Sequence, residues 1–217
     1  MTETVEATPF CWKEALTAYV TEYGDRPKTA AALARHGERE TPEFFKSYGS
    51  LRALEKATWA EFGRRTRMIL EADETYGEYS GREKLLAFWF TLFSEFGRER
   101  AFAAAYESLL RAPALGMPRV LEGLKEEILE WAEPVIETAL EDGELVERPM
   151  VTKYYARGLV FPTYCLLLFW LDDESAQCQN TDQAIEKTVH ALFDCGGKNL
   201  FDSWLDLGKF VVQQGRR

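Results

Sequence analysis

The chain of 217 residues carries 26 basic and 36 acidic side chains, which gives a net charge of −10, and 46% of its residues are hydrophobic. This composition is that of a globular protein and excludes a disordered or collagen-like chain. The longest uncharged apolar run, residues 158–171, falls short of the roughly 20 residues that span a bilayer. The first residues also lack the basic and apolar regions of a secretory signal, so we expect a cytoplasmic protein without a membrane span.

The charge is distributed unevenly along the chain. Residues 1–70 carry 11 basic and 10 acidic side chains, whereas residues 71–217 carry a net charge of −11. An acidic protein can still bind a polyanion through a locally basic end. Residues 1–70 are close to neutral, so charge alone does not predict binding to nucleic acid.

Apolar residues recur at helical spacing in the N-terminal third, and Gly, Pro and capping residues mark where helices begin and end. Thr41 and Pro42 give a start signal, and Ser50 can cap a long fourth helix. The predicted helices are Phe10 to Tyr23, Pro27 to His36, Thr41 to Tyr48, and a helix from Ser50 to about Ala72.

The rest of the chain also has helical spacing. Ser80 and Glu83 fit a capping box, in which each side chain accepts a hydrogen bond from the other residue's backbone N–H. The further predicted helices are Leu85 to Phe96, Arg98 to Arg111, Pro118 to Leu140 with a kink at Pro134, Met150 to Leu171, Thr181 to Asp194 and Lys198 to Gln213. No stretch alternates as a strand would, so we predict an all-α protein with three short helices, a long connecting helix and a larger helical bundle.

Metal or cofactor chemistry is not expected. The four cysteines form no CxxC pair, and Cys178, His190 and Cys195 have spacings unlike those of zinc sites. Asp182, Glu186 and His190 share one helix face, but a di-iron bundle needs a second copy of such a motif. We therefore predict surface pairing for them, with no metal and no cofactor.

Two segments carry a resemblance to a known family. Residues 32–37 (Ala-Leu-Ala-Arg-His-Gly) and residues 44–54 (Phe-Phe-Lys-Ser-Tyr-Gly-Ser-Leu-Arg-Ala-Leu) resemble the helix-turn-helix of the tetracycline-repressor (TetR) family of bacterial regulators. Residues 139–145 (Ala-Leu-Glu-Asp-Gly-Glu-Leu) are similar to a turn that precedes the late dimerisation helices of many members.

The resemblance implies a DNA-binding domain over residues 1–56 and a ligand-binding and dimerisation domain over residues 57–217. It implies a homodimer whose recognition helices lie about 34 Å apart, one turn of DNA. A small effector would favour a dimer geometry in which these helices no longer match successive major grooves.

The chain departs from the family pattern where the family contacts phosphate. The usual tyrosine is Phe45, which has no hydroxyl, and the usual lysine is Leu51. Glu38 and Glu40 lie in the turn before the recognition helix. Because each phosphate contact adds affinity through counterion release, we expect weak DNA binding or an altered docking geometry.

Two sets of candidate site residues follow, each with a competing interpretation. The DNA-binding candidates are Arg39, Thr41, Lys46, Ser47 and Arg52, which could instead form a solvated helix face because acidic residues nearly match them. The ligand-binding candidates are Trp89, Phe93, Trp131, Tyr155 and Tyr164, which could instead be core residues.

The first functional hypothesis is a TetR-like homodimeric transcriptional regulator with a small apolar effector. The second is a protein of the same fold that binds a lipid or another hydrophobic small molecule and has lost DNA reading. An α-helical enzyme is not expected, because no set of acid, base or nucleophilic residues converges in the sequence.

Overall fold

The computed structural model describes residues 10–112 and 117–196, and no strand occurs in these two ranges. The helix predicted over Lys198 to Gln213 lies outside them. None of the helices that the described residues form is long and apolar enough to cross a membrane.

Three short helices form an N-terminal head: α1 (Trp12–Tyr23), α2 (Ala30–His36) and α3 (Thr41–Ser47). Its core contains Leu16, Leu33 and Phe44, all fully buried. The prediction that α2 begins near Pro27 was wrong. The Thr29 hydroxyl accepts a hydrogen bond from the backbone N–H of Ala32 at 3.1 Å, so Thr29 is the N-cap and the helix begins one residue later.

A long connecting helix, α4 (Leu51–Glu71), follows the head. It begins as predicted, because the Ser50 hydroxyl accepts a hydrogen bond from the backbone N–H of Ala53 at 3.1 Å. The fully buried rings of Trp59 and Phe62 anchor it to the body of the molecule, and both pack against the ring of Phe102.

The body contains the remaining helices of the described ranges. They are α5 (Gly81–Arg98), α6 (Arg100–Ala105), α7 (Glu107–Leu110), α8 (Glu122–Glu141), α9 (Tyr155–Gly158), α10 (Val160–Leu171) and α11 (Gln179–Gly196). The capping box of Ser80 and Glu83 opens α5 as predicted. Pro134 lies inside α8 without ending it.

Two helices that were predicted as continuous are interrupted. The segment over Arg98 to Arg111 breaks at Glu99 and Tyr106, and the buried Tyr106 hydroxyl donates a hydrogen bond to Glu55 at 3.2 Å. The segment over Met150 to Leu171 breaks into a short 3-10 turn, α9 and α10. Pro162 explains a new start for α10, because a residue without an N–H is tolerated only in the first turn of a helix.

The backbones of helices α4 and α8 approach each other closely at two glycines. A Cβ built on Gly63 of α4 would lie 2.6 Å from the Cβ of Glu127 in α8. A Cβ built on Gly123 of α8 would collide with the backbone carbonyl oxygen of Lys56 in α4. The two helices can therefore approach this closely only where a side chain is absent.

Ion pairs extend the same contact along most of α4. Three basic residues of α4 pair with glutamates of α8: Lys56 with Glu122 and Glu126, Arg64 with Glu127, and Arg67 with Glu127 and Glu130. Single exposed pairs contribute little, but this series fixes the register of two helices that the glycines already bring together.

The corner between α10 and α11 is built around one aspartate. Asp173 accepts hydrogen bonds from the Ser175 hydroxyl at 2.6 Å and from the Thr181 hydroxyl at 2.7 Å, and also from both backbone N–H groups. These bonds, first that of the Ser175 hydroxyl, hold the pKa of Asp173 below its ordinary value. Its charged form is therefore bound more strongly in the folded state than in the unfolded chain.

We predict that Asp173→Asn lowers the thermal midpoint at pH 7, because an amide group cannot accept hydrogen bonds from both sets of donors. The lowered pKa means that the contribution of Asp173 is fully present above the unfolded-state pKa of about 3.9. The difference in midpoint between wild type and variant should therefore shrink as the pH falls below about 4.

The matched control is Asp172→Asn, a change in the neighbouring aspartate. Asp172 is exposed and pairs with Arg111 at the surface, so its replacement should change the midpoint little at any pH. Equal effects of the two variants at pH 7 would contradict the account of this corner.

Candidate functional site

An apolar cavity of about 280 Å³ lies in the body between α5, α8, α9 and α11. Its volume is close to the lower end of the roughly 300–1,000 Å³ that is typical of ligand pockets. Its described lining is largely aliphatic and aromatic and consists of Gly81, Leu85, Trp131, Val135, Ile136, Leu145, Arg148, Val151, Tyr154, Tyr155, Gly158, Leu159, Leu192, Phe193, Cys195 and Gly196.

One charged residue, Arg148, is part of this described lining. Its guanidinium donates hydrogen bonds to the Tyr155 hydroxyl at 2.6 Å and to the backbone carbonyl of Gly196 at 3.0 Å. The Tyr155 hydroxyl in turn donates to the backbone carbonyl of Val146 at 2.9 Å. These bonds fasten the segment before α9 to the end of α11 and shape one wall of the cavity.

Trp131 of α8 forms another wall and is held on two sides. Its ring stacks on that of Phe88 with centroids 3.9 Å apart, and its indole N–H donates a hydrogen bond to the Tyr76 hydroxyl at 2.8 Å. Tyr76 lies in the turn that follows α4. The cavity wall is therefore linked to the far end of the connecting helix.

The structure places two of the five ligand-binding candidates, Trp131 and Tyr155, in the cavity lining. Trp89 is fully buried, and its indole N–H donates a hydrogen bond to Thr163 at 2.9 Å. It lies in the packed core beside the cavity.

The other two candidates are also engaged elsewhere. The ring of Phe93 packs against the rings of Phe96 and Trp170. The Tyr164 hydroxyl donates a hydrogen bond to the backbone carbonyl of Leu110 at 2.5 Å. Sequence reasoning missed the aliphatic lining residues Leu85 and Leu159, because in sequence they look like any core position of an amphipathic helix.

Four of the five DNA-binding candidates are exposed on the head or on the first turn of α4, and Thr41 is half-buried. The three cations among them, Arg39, Lys46 and Arg52, make no ion pair with another described residue. The Arg39 guanidinium lies over the ring of Phe10, 4.8 Å from its centroid.

The basic residues that face the body are paired instead. Lys13 and Arg26 of the head pair with Glu61 and Glu55, and all the basic residues of α4 after Arg52 have carboxylate partners: Lys56, Arg64, Arg65 and Arg67. Within the head and α4, the described cations without carboxylate partners therefore lie in or beside α2, α3 and the first turn of α4.

The same face of the head also carries features that disfavour DNA. Glu38 and Glu40 are exposed beside α3, and Glu38 has left-handed backbone geometry with φ 52°. Phe45 is 54% exposed on α3. It presents an apolar ring where the resembled family presents a phosphate-binding hydroxyl.

A buried carboxylate joins the head to the body. Glu55 is 3% exposed and lies 3.0 Å from the Arg26 guanidinium of the head and 3.2 Å from the Tyr106 hydroxyl of the body. Burial raises the pKa of Glu55, and the charge of Arg26 and the hydrogen bond from Tyr106 oppose that shift. The Glu55 side chain of α4 therefore contacts the head and the body at the same time.

Within the described ranges, no group of three or more His, Cys, Asp or Glu residues is arranged to hold a metal ion. His190 lies with its Nδ1 atom 2.9 Å from the Arg82 guanidinium. His190 therefore takes part in surface pairing, as the sequence predicted, whereas no ion pair within the described ranges involves Asp182 or Glu186.

Comparison with protein families gives one match that covers more than half of the chain. Residues 84–211 match the family described as tetracyclin repressor-like, C-terminal domain. Among proteins with curated descriptions, none is significantly similar to the chain.

Several solved structures have the same fold. FadR from Bacillus subtilis, solved in complex with stearoyl-CoA, has a TM-score of 0.60 and 12% identity over 82% of this chain and 96% of its own. The fatty acid degradation regulator FadR from Bacillus halodurans has a TM-score of 0.58 and 13% identity over 84% and 95%. A TetR family transcription regulator from Shewanella sp. PV-4 has a TM-score of 0.56 and 15% identity over 85% and 96%. At these identities the likeness concerns the fold.

Proposed function

Because the chain belongs to the tetracycline-repressor family, we propose that it is a homodimeric transcriptional regulator that binds DNA through its head and a small apolar effector in its body. It would act in the cytoplasm, where it meets DNA. The observation that carries this proposal is the distribution of cations. Within the head and α4, the basic residues that face the body have carboxylate partners, whereas Arg39, Lys46 and Arg52 have none among the described residues.

The head would bind DNA with α3 in the major groove. Lys46 and Ser47 are exposed on α3 and Thr41 lies at its start, which suits contacts with bases. Arg39 and Arg52 flank the helix and suit contacts with phosphates. We assign residues 1–56 to this function and residues 57–217 to effector binding and dimerisation, a division supported by the change in ion pairing between Arg52 and Lys56.

The homodimer would form through α10 and α11. Phe161, Cys165 and Phe169 are exposed on successive turns of α10, and with Ala184 and Thr188 of α11 they line a shallow apolar groove. An exposed apolar stripe beside small residues suits a two-fold interface in which the same surface of each subunit packs on the other.

The cavity would take the apolar part of an effector. Its described lining supplies apolar contacts on several helices and few polar groups, which favours an aliphatic or flat apolar molecule. That FadR from Bacillus subtilis was solved with stearoyl-CoA supports a hydrophobic effector for this fold, although the present cavity holds only a compact group.

Effector binding would reach the head through α8. Trp131, Val135 and Ile136 of α8 line the cavity, and α8 is packed on α4 through Gly63 and Gly123. A displacement of α8 would therefore carry α4 with it, and α4 continues directly into the head.

A second function has specific support. Phe45 and Leu51 replace the two residues with which the family contacts phosphate, and Glu38 and Glu40 are exposed beside α3. These features favour a protein of this family that binds a lipid or hydrophobic small molecule and has lost DNA reading. The two functions differ in whether the purified protein binds DNA at low salt.

The DNA test uses fluorescence anisotropy with a duplex from the promoter of the chain's own gene, measured against salt concentration. Wild type should give saturable binding with two chains per duplex. Lys46→Glu should weaken it at least tenfold at low salt, because it replaces a favourable phosphate or base contact with a repulsive one.

Lys153→Glu is the control, since it makes the same change of charge on the body, beside Tyr154. It should leave DNA affinity close to that of wild type. If wild type itself gives no saturable, salt-dependent signal, the DNA part of the proposal fails and the second function is favoured.

The cavity test uses the fluorescent probe 1-anilinonaphthalene-8-sulfonate. Gly158 lines the cavity, and a Cβ built on it meets no other atom within 4 Å. Gly158→Leu should therefore add a side chain at the cavity lining without a steric clash and lower probe affinity by up to about tenfold, because the leucine competes with the probe for the apolar surface there.

Gly97→Leu is the matched control for this experiment. A Cβ on Gly97 also meets no atom within 4 Å, and Gly97 lies at the surface of α5 away from the cavity. Equal probe affinity for Gly158→Leu and wild type would show that the probe binds elsewhere and would remove the support for this cavity as an effector site.

A further inference from the structure

Trp131 separates the cavity from a second recess. It lines the cavity of about 280 Å³ and also a neighbouring cleft of about 360 Å³. The cleft lies beside the last turns of α4 and the start of α5, and its lining combines the charged Arg67, Glu71, Lys84 and Glu130 with Tyr76, Pro134 and Thr138. Val135 borders both spaces as well, but its side chain is far smaller than an indole ring.

The indole ring is held in this dividing position by two contacts. Phe88 stacks against it at 3.9 Å between centroids, and the Tyr76 hydroxyl accepts its N–H at 2.8 Å. Trp131 as a whole is only 6% exposed. Tyr76 also lines the cleft. The hydroxyl group that holds the Trp131 indole in place is therefore part of the wall of the cleft, which the indole separates from the cavity.

We propose that Trp131 is a specificity-determining residue that sets the length of the aliphatic ligand that the cavity accepts. This inference rests on the proposed function of the cavity as an effector site. With the ring in place, a chain is confined to the smaller volume. A longer unbranched chain can be accommodated only if the ring moves and the chain continues into the cleft, where more than twice the volume is then accessible.

The size of the effect follows from the burial of methylene groups. Two additional methylenes removed from water raise affinity about tenfold. In wild type this gain should stop at the chain length that fills the cavity. Without the indole ring it should continue to longer chains.

The experiment measures displacement of 1-anilinonaphthalene-8-sulfonate by a series of straight-chain carboxylic acids of increasing length, each below its micelle concentration. For wild type, affinity should rise with length and then fall. For Trp131→Ala, the optimum should shift to longer acids, with a gain over wild type of up to about tenfold for each two methylenes beyond the wild-type optimum.

Tyr76→Phe provides a second variant that keeps the ring and removes only the acceptor of its N–H. It should raise affinity for the longer acids while leaving affinity for the shortest ones unchanged. This variant decides the matter if Trp131→Ala does not fold.

Trp89→Phe is the control for a general loosening of the core. Trp89 is buried on neighbouring α5 and does not line the cavity, so its replacement should leave the optimum length unchanged. If wild type binds neither the probe nor any acid, the effector function itself fails. If wild type binds the acids and both Trp131→Ala and Tyr76→Phe keep its optimum length, the role of Trp131 is excluded.

Discussion

The close contact between α4 and α8 is the constraint on which the arrangement of head and cavity depends. Gly123 leaves room for the backbone carbonyl of Lys56, and Gly63 leaves room for Glu127. Helix α4 leads into the head, and α8 carries Trp131 into the cavity wall. Because interiors are close-packed and do not deform continuously, two helices in backbone contact move together more readily than they separate. The contact between α4 and α8 therefore connects the cavity, where an effector would bind, with the head, which would bind DNA.

Electrostatics gives the two ends of the molecule different properties. The body is strongly acidic, and its glutamates hold the basic residues of α4 after Arg52. Within the head and α4, Arg39, Lys46 and Arg52 are left without carboxylate partners among the described residues, and the exposed Glu38 and Glu40 lie in the same part of the chain. A polyanion therefore meets less electrostatic repulsion at the nearly neutral head than at the acidic body.

Local signals predicted much of the fold. Ser50 and the pair Ser80 and Glu83 mark helix starts through bonds to residues three positions away, which a sequence displays directly. The break at Tyr106 was not predictable in this way, because it accompanies a hydrogen bond to Glu55, far away in sequence. The same distinction between local signals and contacts distant in sequence applies to the candidate site. Trp131 lines the cavity, whereas Trp89 lies in the core. Both are apolar positions on amphipathic helices, and only contacts with residues far away in sequence distinguish them.

Equilibrium unfolding of Gly123→Ala tests the central contact most directly, with Gly97→Ala as its partner. An alanine at an exposed helical position should leave stability unchanged or raise it by up to about 1 kcal/mol, which is the result expected for Gly97→Ala. In Gly123→Ala the new methyl group would collide with the carbonyl of Lys56, so we expect the free energy of unfolding to fall by about 1–3 kcal/mol. A Gly123→Ala protein as stable as the Gly97→Ala protein would contradict the account, because α4 and α8 would then not be held in backbone contact.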